Sequence, residues 1–260
     1  MQCPRRLQTP LWGAFMSSVM IGANTLALVS GCATTAEERR SSALSQGRFE
    51  VLQATAGVIV AAPHADTDDY TGDIVKAILE RTRLSGVIAW GFPYGTALRD
   101  RYNVNRPTEE GGVRCSQERE TARARAVYEE YRRQVVLAAQ ATPRLYVEVH
   151  GNSMQPDIEV ATVRVTKDEA VRLKEVYLRI RDKYVLDRPG YPRFDFLIEP
   201  LDRIRMVASC TKEKGIFRDM GKVLHIELPR AARTELHRDT SVTILAELID
   251  VAATFLAGRQ

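Results

Sequence analysis

Apolar positions along the chain alternate between short continuous runs and helical stripes. Val58-Ile59-Val60-Ala61-Ala62 is a β-branched run of strand length, apolar enough to be buried on both faces. One or two strands are predicted over 49–62, and Pro63, with no N–H to donate, ends the ladder. A helix over 71–83 follows, with Ile74, Val75, Ile78 and Leu79 on one face. The next buried strand, 86–91, completes a βαβ unit. A loop runs from 92 to 114, and its length of roughly 20 residues argues for function over mere connection. Ser116 is placed to cap a helix reaching about residue 141, with Glu118 and Glu120 near its positive end and a stripe of Ala124, Tyr128, Tyr131, Val135 and Ala138.

Strands are predicted at 145–151 and 158–165. Thr166 with Glu169 forms a capping box that opens a helix striped by Leu173, Tyr177 and Ile180. Residues 187–218 read as irregular, apart from a short strand near 194–198. A strand over 223–228 and a helix over about 240–257 close the chain. That helix carries Val242, Leu245, Ile249, Ala252 and Leu256 on one face, and Gly258 ends it. This alternation predicts an α/β fold: a three-layer α/β/α arrangement with helices on both faces of a mixed, largely parallel central sheet.

The first residues break the pattern. Arg5 and Arg6 precede an apolar segment over 11–29, and Val29-Ser30-Gly31-Cys32 resembles a bacterial lipobox. The resemblance implies a signal peptide over 1–31, cleavage before Cys32 and lipidation of that cysteine. An ordinary secretory signal or an uncleaved anchor is the plainer alternative. Ala33 in place of aspartate implies a lipid anchor in the outer membrane, facing the periplasm. Residues 32–48 read as a polar tether, and 49–260 as one catalytic domain.

Composition narrows the class. With 260 residues, 45% hydrophobic and 27% charged, the chain suits one domain of roughly 200 residues, or at most two small ones. The net charge of +4 is spread along the chain, and no nucleic-acid partner is expected. Without Cys3 and Cys32, Cys115 and Cys210 remain; an oxidising periplasm would permit a bridge, but two cysteines alone do not establish one.

Three strand ends deliver ligand-type or acid/base side chains: His64 to Asp69, Glu148 to His150, and His225 to Glu227. Ligands bind beyond the carboxyl ends of strands in α/β sheets. His64, Asp68 and His150 form a candidate zinc set: two imidazoles and one carboxylate leave a position for water, as catalytic zinc requires. Asp66 and Asp69 are rival ligands, and each could instead cap the following helix. Glu227 shares a strand face with His225 and is the candidate general base; its alternative is a buried pair with Arg230. Glu148 and His225 read as groups that orient the ligands. In the long loop, Asn105 and Arg106 offer donors for a substrate carboxylate, although Asn and Pro also favour a plain surface turn.

Pro63-His64 with Asp68, Asn103-Val104-Asn105-Arg106-Pro107, Val147 to Asn152, and His225-Ile226-Glu227-Leu228-Pro229-Arg230 occur in an order that resembles the N-formylglutamate amidohydrolase family. More distantly they resemble the zinc carboxypeptidases. The resemblance spans about 58–230 and implies a phosphorylase/hydrolase-like fold with one zinc ion on His64, Asp68 and His150. It further implies that Glu227 is the base and that Asn105, Arg106 and Arg230 bind substrate. The first motif departs from the carboxypeptidase His-x-x-Glu spacing, with an aspartate one residue further on, and Ala65-Asp66 stands where the amidohydrolases have glycines. The expected activity is hydrolysis of an amide bond in a small carboxylate-bearing substrate, an N-acyl amino acid or a peptide. The alternative is a lipid-anchored envelope binding protein that keeps the pocket without turnover.

Overall fold

The computed structural model describes residues 36–92, 102–109, 113–188 and 190–258. The expected signal peptide and Cys32 lie outside them. The first elements are α1 (Ala36–Leu44), β1 (Arg48–Leu52), β2 (Thr55–Ala62), α2 (Thr71–Thr82) and β3 (Leu84–Trp90). Within the stretch expected as a loop, of which 93–101 and 110–112 lie outside the described residues, is β4 (Thr108–Glu109), and β5 (Arg119–Glu120), α3 (Ala122–Ala139), β6 (Leu145–Asn152) and β7 (Ile158–Val163) follow. The chain closes with α4 (Lys167–Val185), β8 (Phe196–Ile198), α5 (Ser209–Lys214), β9 (Lys222–Pro229), α6 (Arg230–Arg233) and α7 (Arg238–Leu256).

Seven strands form one mixed sheet in the order β1-β3-β2-β6-β9-β7-β8. Its centre, β3-β2-β6-β9, is parallel; β1 joins one edge antiparallel, and β7 joins β9 antiparallel on the other. Side chains alternate across the strands. Val58, Val60 and Ala62 of β2 enter a core with α2, α4 and α7, whereas Ile59 and Ala61 enter a second core with α3. The fold is thus the three-layer α/β/α arrangement with a mostly parallel sheet. None of the helices in the described residues is long and apolar enough to cross a membrane.

Three local expectations change. The long helix starts at Ala122, not at Ser116, because Thr121 accepts from the backbone N–H of Ala124 and acts as its cap. Glu118 is consequently released from a helix end for a different task, described below. Part of the expected tether is structured: α1 packs on α3, and Ala43 is buried with Ile59 and Val87. Within 187–218, read as irregular, Ser209–Lys214 form α5.

Candidate metal centre

From β2 the chain passes through α2 to β3 on one side, then through α3 to β6 on the other. Neighbouring connections therefore diverge between β2 and β6, which opens a crevice at their carboxyl ends. His64 and Asp68 follow β2 into this crevice, and His150 lies two residues before the end of β6, beside Glu227 of β9, its register partner. On the α3 side of the sheet, Tyr146 and Val223 are core residues at the amino ends of β6 and β9. One and two pleats further on, the same face carries Glu148 and His150 on one strand and His225 and Glu227 on the other. Period-two alternation that is apolar at one end and polar at the other builds the site.

His64 Nδ1 lies 3.4 Å and His150 Nδ1 2.9 Å from the same oxygen, Asp68 Oδ2. Their other nitrogens point away from it. His64 Nε2 faces the carbonyl of Asn103 at 3.3 Å, and His150 Nε2 faces Glu148 Oε2 at 3.1 Å. This is the pattern of metal-ligating histidines, in which the outer nitrogen donates to a carbonyl or carboxylate and the inner one presents its lone pair. The three ligand atoms lie within 4.8 Å of one another, so a divalent cation fits between them. The rival aspartates are engaged elsewhere: Asp66 accepts from the backbone N–H of Gly91, and the exposed Asp69 carboxylate lies 3.5 Å from Arg233.

The electrostatics of the metal-free protein follow from this crowding. Burial opposes charge on His150, yet Asp68 and Glu148 overcome it and lift the imidazole to about 10. Burial dominates at His64 and lowers it despite Asp68. Burial would raise both Asp68 and Glu148, but the imidazoles against them hold each carboxyl well below the usual range. In this state a proton on His150 Nδ1 stands where a cation would sit.

Glu148, His150 and His225 form a second compact group sharing His150. Glu148 has little left to offer an ion. Its Oε2 accepts from Asn105 Nδ2 at 3.0 Å and lies against the two imidazoles, and its Oε1 accepts from the Tyr146 hydroxyl at 2.7 Å. Tyr131 hydrogen-bonds that hydroxyl in turn, and burial beside Glu148 pushes both phenols well up. The cluster braces the first group and orients His150. His225 Nε2 then reaches Glu227 Oε1 at 3.1 Å, while Glu227 Oε2 is buried with no hydrogen-bond partner.

A cavity of about 220 Å³ opens above these groups, lined by His64, Asp68, His150, Glu227, Arg106 and Thr211, among others. Arg106 reaches it with one prong only. Its Nε and Nη2 are held by the fully buried Glu118 at 2.8 and 2.6 Å, and Nη1 lies 3.3 Å from Asn105 Oδ1 and 3.4 Å from Thr211 Oγ1. Asn105 also lines the cavity, and its Nδ2 donates to Glu148 Oε2. Cys115 and Cys210 are joined, which ties the Glu118 segment to α5 and hence to Thr211. Arg230 is not brought to this cavity; it is exposed and borders a separate one with Asp69, Tyr70, Arg233 and Thr234. Thr211 and Arg233 carry no signal in the sequence pattern, and Glu118 reads there as a helix-end residue; the one available signal for Glu118 is Arg106, a cation 12 residues before it.

No protein-family model and no curated protein matches the sequence. Among solved structures, the chain is similar to a bacteriophage poly-gamma-glutamate hydrolase at 14% identity, covering 82% of this chain and 90% of that one, with a TM-score of 0.49. It is also similar to a metallo-carboxypeptidase from Burkholderia cenocepacia at 11% identity, covering 84% and 68%, with a TM-score of 0.43. A third is the zinc-free form of YNDL, at 12% identity, covering 80% and 91%, with a TM-score of 0.45.

Proposed function

We propose that this protein is a zinc-dependent hydrolase of amide bonds, acting on a small carboxylate-bearing substrate such as an N-acyl amino acid or a peptide. The observation that carries the reading is the convergence of His64 Nδ1 and His150 Nδ1 on Asp68 Oδ2, with both outer nitrogens turned to acceptors. A zinc ion held by these three residues would supply Lewis acidity toward the amide carbonyl and lower the pKa of a water. Glu227 Oε2, buried and unpartnered at the cavity wall, takes the proton of the attacking water. The same carboxyl returns that proton to the departing nitrogen, so that amide and water become acid and amine. His225 holds the other oxygen of Glu227 and keeps the carboxylate facing the cavity. Arg106 Nη1 and the Thr211 hydroxyl are the donors for a substrate carboxylate, with Glu118 fixing the guanidinium plane from behind. The zinc set, Glu227 as the base and Arg106 as a substrate donor are those implied by the resemblance to the N-formylglutamate amidohydrolases; Thr211 joins them, and Arg230, at a separate cavity, is left out.

The test is a screen of N-acyl amino acids and short peptides against zinc-loaded protein and its Glu227→Gln variant. The account expects wild-type turnover, with a loss of about 10²–10⁴-fold in the variant and an unchanged zinc content. Undiminished turnover in Glu227→Gln would remove Glu227 as the base. A protein that binds such ligands tightly, with or without Glu227, and turns none over would be the lipid-anchored binding protein instead.

A further inference from the structure

Arg233 sits at the end of the four-residue helix α6 and is buried, 3% exposed. A buried cation persists only where its N–H groups are accepted, and the acceptors here come from three separate chain segments. Nη1 donates to the carbonyls of Asp68 at 2.9 Å and Asp69 at 2.8 Å. Nη2 donates to the carbonyl of Asn152 at 3.0 Å, and Nε to that of Leu228 at 3.3 Å. Each segment bears a residue of the centre: Asp68 itself, His150 two residues before Asn152, and Glu227 one residue before Leu228.

We infer that Arg233 is a positioning residue that sets the Asp68 turn against the ends of β6 and β9 and thereby pre-forms the metal centre. The inference rests on the metallohydrolase reading above. Two further observations support it. Asp69 and Tyr70 adopt left-handed φ values of 35° and 68°, uncommon for residues other than glycine and, at Tyr70 above all, in need of a hold. The guanidinium accounts for that hold, because the Asp68 and Asp69 carbonyls both turn toward it. Gly151 is the second. A Cβ there would come within 2.5 Å of Arg233 Cζ and 2.5 Å of the Asp68 carbonyl oxygen, so the strand end has no side chain where the arginine crosses it. Only a planar fork with donors on several edges reaches all three segments at once; a lysine ammonium does not.

The test compares wild type, Arg233→Met and Arg233→Lys by chelator-competition measurement of zinc affinity, alongside thermal unfolding of the metal-free proteins. The expected result is a loss of about 10–100-fold in zinc affinity for Arg233→Met, with a smaller loss for Arg233→Lys. Equal zinc affinity in wild type and a folded variant, even one of lowered melting temperature, would make Arg233 merely structural and overturn the inference alone. If Arg233→Met fails to fold, Arg233→Lys decides: wild-type affinity there overturns the inference, and weakened affinity supports it. A wild-type protein that takes up no zinc would overturn the metallohydrolase reading, and this inference with it.

Discussion

The two oxygens of Glu227 keep different company: His225 lies against one, and the other is buried without a partner beside the cavity. That asymmetry is why Glu227→Gln is expected to spare zinc binding and reduce turnover. His150 sets a second expectation at the residue scale. In the metal-free protein it carries a proton that is held up to about pH 10 by Asp68 and Glu148. For these residues to hold zinc, His150 Nδ1 would have to give up that proton, whereas Asp68 is already ionised and His64, lowered by burial, is already neutral at pH 7. Zinc affinity should therefore rise about tenfold per pH unit between about pH 6.5 and 10. Chelator competition from pH 6.5 to 8.5 would show the slope, and a flat profile would contradict it. The same shift has a consequence for stability. A folded-state pKa above the ordinary 6.5 contributes stability that is fully present below about pH 6.5 and lost as pH rises through about 10. Metal-free protein should accordingly unfold more readily at pH 10 than at pH 7.

At the scale of elements, the strands carrying the site were the easiest to see in the sequence. β6 and β9 each mix an apolar face with a ligand-type face at period two, so spacing alone put Glu148 with His150 and His225 with Glu227, while the pairing of the two strands is a long-range contact. The Thr166–Glu169 capping box is likewise local chemistry and opens α4 as expected. Glu118 and Arg233 were not legible in that way. Their partners are distant in sequence or are backbone carbonyls, and periodicity carries no record of either. Residues 102–109 and α5 belong to the same class, held by the Arg106–Glu118 pair and the Cys115–Cys210 bridge more than by propensity. Removing one partner of a buried pair costs about 3–5 kcal/mol, so Glu118→Gln should lower stability in denaturant titrations and raise KM for a carboxylate-bearing substrate. The bridge closes a separation of 95 residues. Its loss in a Cys115→Ser, Cys210→Ser double variant should cost about 2–5 kcal/mol, and an unchanged denaturation midpoint would contradict the staple role.

For the whole molecule, the alternation of strands and helices was enough to predict three layers, because each element must bury its apolar face against another. The strand order was not, since antiparallel pairs such as β1 on β3 and β7 on β9 depend on long-range pairing. Divergence of the chain between β2 and β6 then explains why His64, Asp68 and His150, drawn from segments up to 86 residues apart, meet at one crevice. The measurement that tests the account most directly is metal content by elemental analysis of protein purified without chelator or a metal-affinity tag, beside the His64→Ala and His150→Ala variants. The account predicts about one zinc per chain in the wild type and its loss from both variants, each still folded by circular dichroism. Folded wild-type protein with no metal after zinc is supplied, or zinc retained in both variants, would contradict it.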